Sequence, residues 1–266
     1  MGRYRYGLEL YSVKNELEKD MPATLQRVKD MGYEAVEFFG AFRYPAKEVK
    51  QALDDAELVC CGWHTPWQYV LDDALNNTIE YFHVIENPYV IIPGLPREMT
   101  GSYEQWLQNA QLFNAVARKL SDHGLRLGYH NHAGELRPFE DRDECPFTVL
   151  FDNTDPSIIV QMDNGHVLNG RGIDMLTLLK RYPGRYTTVH LKPYSLQKGS
   201  ENPHDGYLTM IGEDDVPWSQ FMTMCRETGG TKWYIVEYES IELYPEFEGV
   251  EKCLQALKKM EAEGKF

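Results

Sequence analysis

About eight times along the chain, a short run rich in β-branched and aromatic residues gives way to a longer amphipathic stretch, and this alternation limits the fold more than any other feature. The β-like runs are YGLELYSV, YEAVEFFG, AELVCCGWH, PYVIIPG, LRLGYHNH, SIIVQMDNGH, YTTVHLKP and KWYIVEYES. Between them the pattern predicts helices, among them Met21 to Met31, with Pro22 in its first turn, and Tyr103 to His123, closed by Gly124. A strand that returns by way of a helix packed on the sheet face pairs in parallel, through a right-handed crossover. Eight such units in 266 residues predict a single closed (β/α)8 barrel over 1–266, in preference to an open doubly wound sheet. No G-x-G-x-x-G follows the first strand, and neither a Walker A sequence nor a G-x-S-x-G elbow occurs. An irregular insert at about 194–217, containing SLQKGSENPHDG, follows the seventh strand, which puts it on the catalytic face of a barrel.

Composition removes several classes of partner. A formal charge of −14 argues against nucleic acid, whose affinity rests on neutralising phosphates with Lys and Arg. No segment approaches the ~20 apolar residues of a membrane span, and the N-terminus has no apolar leader with a small-residue cleavage site. Five scattered cysteines without a C-x-x-C pair suit a reducing compartment, so the expected location is cytoplasmic.

In a barrel, chemistry gathers at the C-terminal strand ends. Glu37, His64, His130, His132, Glu135, Asp163, His166, His190, Lys192, Glu237 and Glu239 all fall there, including five of the eight histidines. Several carboxylates facing one another would repel and be driven toward neutrality, whereas a divalent ion such as Mn, Mg, Co or Zn turns them into ligands. Thiolate is absent from these strand ends, which favours an open, oxygen-rich site over a structural zinc site.

Taken together, GLELYSV, GYEAVEFFG, LGYHNHAGEL, MDNGH, VHLKP and WYIVEYE resemble the xylose isomerase-like barrels of the sugar phosphate isomerase/epimerase type, and the resemblance covers almost the whole chain. It implies one divalent metal ion held by four ligands from strands five to eight, matched here by Asp163, His190, Glu237 and a fourth from the strand-five motif. Glu135 is taken as that fourth ligand, folding back over the mouth, with His130 facing substrate; in the reverse assignment His130 binds the ion and Glu135 is the acid/base or a hydroxyl-binding group. The implied activity is that of a sugar isomerase or epimerase working by proton abstraction next to a carbonyl, through a metal-stabilised enediolate, with Glu135, Glu237 and His130 catalytic. A lyase or dehydratase acting on a keto-sugar, keto-glycoside or inosose shares the same intermediate. A non-catalytic sugar-binding or partner subunit is the alternative of another class.

The remaining strand-end residues carry two readings each. Glu37 is a substrate contact or an anchor for a loop, His64 a pocket residue or a packed imidazole, and His166 a substrate contact or a helix-start hydrogen bond. His132 lies at the substrate or braces its loop, and Lys192 lies near the substrate rather than in solvent. Trp63 and Trp67 are a sugar-stacking platform or core. The expected partner is a small sugar or cyclitol. No arginine-rich cradle marks the seventh and eighth strand ends, so a phosphate is not required. Barrels of this type often associate, and a homo-oligomer is left open.

Overall fold

The computed structural model describes residues 3–266, so residues 1 and 2 of the expected 1–266 domain lie outside the described residues. Eight parallel strands close on themselves in sequence order: β1 (Tyr6–Glu9), β2 (Ala35–Phe39), β3 (Val59–His64), β4 (Tyr89–Ile92), β5 (Arg126–His130), β6 (Ile159–Asp163), β7 (Thr188–Leu191) and β8 (Trp233–Val236). Strand β1 pairs with both β2 and β8, which closes the barrel and sets aside the open sheet. The Met21–Met31 helix has the expected bounds and ends on Gly32 at φ 96°, a left-handed conformation that suits a residue without Cβ. The next expected helix stops at Ser121 rather than His123, because the His123 N–H donates to Leu120 O three residues back and tightens the last turn.

Alternation along the strands sorts side chains into two cores. Outward-facing Leu8, Val36, Val90, Val160, Val189 and Val236 pack against the apolar faces of the helices. Inward-facing Ala35, Cys61, Tyr89, Ile91, Ile159, Trp233 and Ile235 plug the lower part of the barrel. Above that plug the inward positions turn polar: Glu9, Glu37, His64, His130, Gln161, Asp163, Thr188 and His190 are all buried. The two tryptophans belong to the core reading, Trp63 stacked on Phe38 at 4.7 Å and Trp67 on Phe113 at 5.3 Å.

The period of two breaks once. Between β2 and β3, Val36 pairs with Cys60 but Glu37 pairs with Gly62, so Cys61 is a bulge residue and the alternation restarts beyond it. That restart is what brings His64 to the interior. Gly62 is required by its neighbour: a Cβ there would lie 2.0 Å from Glu37 Oε1. Gly62→Ala is therefore expected to force the Glu37 carboxylate out of its hydrogen bonds at a cost of roughly 2–4 kcal/mol. Thermal denaturation should show a fall in Tm of about 4–12 °C, and an unchanged Tm would mean that Glu37 swings aside freely.

The stretch after β7 forms two short 3-10 turns, Lys198–Ser200 and Pro203–Tyr207. It is tied to the segment that follows β6 by Arg171 Nη2 donating to Gly199 O and by Asn169 Nδ2 donating to the Tyr207 hydroxyl. Tyr207 is thereby held beside the polar layer.

Candidate active site

Four strand ends contribute to one cluster. His130 ends β5, Asp163 ends β6, His190 lies in β7 and Glu237 directly follows β8; one nitrogen or oxygen from each lies within 4.8 Å of the others. Glu135, the expected fourth ligand, is not among them, and His130 takes the strand-five place. Tyr129 points to the opposite face of β5, into the layer of Trp106 and Phe113, and its hydroxyl donates to Glu135 Oε1 at 2.7 Å. The His132 N–H donates to Glu135 Oε2 at 3.2 Å. Both carboxylate oxygens are thus spent on their own strand and loop, and His130 stands where Glu135 was expected. Between the two histidines, the Asn131 amide exchanges hydrogen bonds with the Asp163 backbone and ties β5 to β6 beyond their last ladder pair.

Hydrogen bonds fix the protons of the polar layer. Gln161 Nε2 donates to Glu37 Oε1 and to Thr188 Oγ1, each at 2.9 Å, so Gln161 Oε1 is left to accept. It accepts from His64 Nε2 at 2.8 Å and from His130 Nδ1 at 3.1 Å. With the proton on Nδ1, His130 presents a bare Nε2 lone pair. Burial, with His190 and His64 alongside, holds His130 well below its ordinary pKa, so the ring is neutral and suited to ligation.

His190 spans two carboxylates: Nδ1 donates to Glu237 Oε2 and Nε2 to Glu37 Oε2, both at 2.6 Å. Burial opposes its charge, but the hydrogen bonds to Glu237 and Glu37 prevail and raise it to about 10. Burial likewise opposes ionisation of Glu37, and His64 and His190 hold it below the usual carboxylate range. Lys192 is 2% exposed and uses all three of its protons, on Glu237 Oε1 at 3.0 Å, Glu239 Oε2 at 2.5 Å and His166 Nε2 at 3.3 Å. Against the penalty of burial, this ammonium and His190 hold Glu237 well below its ordinary pKa.

His166 accepts from Lys192 at Nε2, so its Nδ1 carries the proton and donates to the Tyr207 hydroxyl at 2.5 Å. Asn169 Nδ2 donates to that same oxygen at 2.9 Å, which leaves the Tyr207 O–H proton for a third partner. His132 is exposed on the rim, with its ring 4.8 Å from that of His166. The central cavity, about 370 Å³, is lined by Glu9, His64, His130, His132, Glu237 and Glu239 among others.

Whether this cluster suits a metal ion turns on Asp163. Its Oδ1 accepts the His166 N–H at 2.7 Å and caps the helix that begins at Asn164. Its Oδ2 is fully buried and has no hydrogen-bond partner among the described residues. Burial, opposed by Lys192, raises the carboxyl to about 7. An orphaned carboxylate oxygen is destabilising in such a place, and a cation among two imidazoles and two carboxylates removes the penalty. The residues fit a divalent ion.

A family model described as the xylose isomerase-like TIM barrel matches residues 25–260. The chain belongs to that family. A solved sugar phosphate isomerase/epimerase from Parabacteroides distasonis ATCC 8503 superposes on it with a TM-score of 0.79 at 22% identity, over 97% of this chain and 98% of that one. A solved L-ribulose 3-epimerase gives 0.69 at 15%, over 99% and 97%. At these identities the likeness is one of fold. An inosose dehydratase of Clostridium perfringens (strain ATCC 13124) is 27% identical over 51% of this chain and 48% of its own length, so the match spans about half of that relative.

Within this xylose isomerase-like barrel, the structure adds three functional candidates to those expected from the sequence. Glu9 closes β1 and lines the central cavity; its carboxylate position within GLELYSV was the available signal. Gln161 sits one inward step below Asp163 and carries no charge to flag it, and Tyr207 arrives from the irregular insert.

Proposed function

We propose that this chain is a divalent-metal-dependent enzyme that moves a proton at a carbon next to the carbonyl of a small sugar or cyclitol, giving an epimer or isomer. His130, Asp163, His190 and Glu237 would hold the ion, and the observation that carries this reading is the buried, unpartnered Asp163 Oδ2 in their midst. When bound, the ion supplies Lewis-acid polarisation of the carbonyl and its neighbouring hydroxyl.

The protein's own groups divide the proton work. Glu237 borders the cavity as a carboxylate, and that position is what suits it to accept a carbon-bound proton. Glu9 is in the opposite condition: burial, with Glu37 and Glu237 nearby, raises it well above its usual range. Its Oε2 has no partner among the described residues. Two carboxyl groups whose surroundings drive their pKa values apart make a base and an acid. Glu37 orients His190, His64 and Gln161 set the layer beneath, and Lys192 holds Glu237 in place. Glu9→Gln is expected to lower kcat by about 10²-fold with metal content unchanged. Steady-state assay beside metal analysis checks this, and an undiminished kcat removes Glu9 from the acid role.

The function itself is tested by incubating Mn²⁺-loaded protein in deuterated water with ketoses, inososes and keto-glycosides. Deuterium should enter a carbon next to the carbonyl in at least one of them. Absence of exchange throughout, with sugar still bound, would favour a binding subunit. A second reading, dehydration, is favoured by the curated relative named inosose dehydratase. It predicts loss of water from the substrate rather than an epimer in the same experiment.

The reducing cytoplasm proposed as its location suits five unpaired, buried cysteines. No helix among the described residues is long and apolar enough to cross a membrane.

A further inference from the structure

The barrel mouth holds two cavities of similar size. Beside the central cavity of about 370 Å³ lies a second of about 410 Å³, and the two share Tyr11 and Glu239 as a common wall. Each by itself is within the size range of a small-ligand site. The metal-ligand candidates His130 and Glu237 line the central cavity, while the side cavity is built from Lys14, Tyr207, Leu208, Ile241 and Glu242 beside the shared wall.

Its lining suits an uncharged ring. Ile241, 53% exposed, gives the cavity an aliphatic wall, and Tyr11, 37% exposed with Lys14 over its ring, closes the side toward the central cavity. The Tyr207 hydroxyl accepts from His166 and Asn169, which leaves its proton for a sugar hydroxyl. No arginine lines it among the described residues, and the one lysine, Lys14, has its ammonium over the Tyr11 ring at 3.9 Å. Glu239, Glu242 and Glu246 outnumber that lysine, a balance that repels phosphate or a uronate.

We propose that the substrate has two rings: a keto-sugar in the central cavity, joined by a glycosidic bond to an uncharged second sugar or aryl ring in the side cavity, with the linkage crossing the rim between Tyr11 and Glu239. This rests on the proton-transfer reading above for the identity of the first ring. The side cavity then sets specificity for the glycosidic partner.

Calorimetric titration of the purified protein, with and without Mn²⁺, would compare D-glucose, glucose 6-phosphate, cellobiose, maltose and phenyl β-D-glucoside. At least one two-ring probe is expected to bind about tenfold or more tightly than glucose and than glucose 6-phosphate. In Ile241→Trp, a bulky side chain at an exposed position that leaves folding unthreatened, that gain should shrink to under about threefold. No two-ring probe surpassing glucose, a preference for the phosphate, or a gain unaltered in Ile241→Trp would each overturn the proposal. Deuterium exchange with 3-keto-glucose and its glycosides, run in parallel, separates the two readings. Two-ring preference without exchange upholds the side cavity and defeats proton transfer; exchange without two-ring preference does the reverse.

Discussion

Glu237→Gln should empty the metal centre and stop turnover. The Glu237 carboxylate accepts hydrogen bonds from His190 at 2.6 Å and from Lys192 at 3.0 Å, all within the buried strand-end layer. A neutral amide in its place removes a ligand charge and leaves two buried cations short of compensation, a loss of about 3–5 kcal/mol when such a pair is broken outright. Metal content after desalting is expected to fall below ~0.1 equivalent, with kcat at least ~10³-fold lower. Because instability alone could lower both, Glu237→Gln combined with Lys192→Met serves as the control. Removing the unpaired ammonium should recover much of the melting temperature while the metal stays absent. A folded Glu237→Gln protein that retains a full equivalent of ion would remove Glu237 from the ligand set.

The second large effect separates His130 from Glu135. His130→Ala deletes the Nε2 lone pair that Gln161 orients toward the cluster, and metal affinity measured by competition with a chelating dye is expected to drop by at least ~10²-fold. Glu135→Gln should leave that affinity unchanged, since both of its oxygens are engaged by Tyr129 and the His132 N–H; the loss is about 1–2 kcal/mol of stability from weakened hydrogen bonds. Opposite results, with affinity lost in Glu135→Gln and kept in His130→Ala, would mean that the strand-five loop opens and delivers Glu135 to the ion.

That contrast also marks how far the sequence can be read. The barrel was legible because each β/α unit repeats the same local grammar, and a strand-end rule then collects Asp163, His190 and Glu237 from distant segments without any knowledge of distances. The choice between His130 and Glu135 was not legible. It depends on Tyr129 reaching around the outer face of β5 to hold a carboxylate six residues on, a contact that no periodicity reports. The inward turn of His64 depends on an extra residue at Cys61, and a bulge leaves no mark in a run of apolar letters. Gln161 and Thr188 are uncharged, yet they fix the tautomer of His130 and the placement of Glu37. Tyr207 enters the site only because the irregular stretch after β7 is anchored by Arg171 and Asn169.

The most direct test is diffraction from Mn²⁺-soaked crystals, collected on both sides of the manganese absorption edge. One anomalous peak is predicted at about 2.0–2.3 Å from His130 Nε2, Asp163 Oδ2, His190 Nδ1 and a Glu237 carboxylate oxygen, with Glu37 still bonded to His190 Nε2. No peak there, or one lodged instead among Glu9, Glu37 and His64 on the other side of the His190 ring, would contradict it.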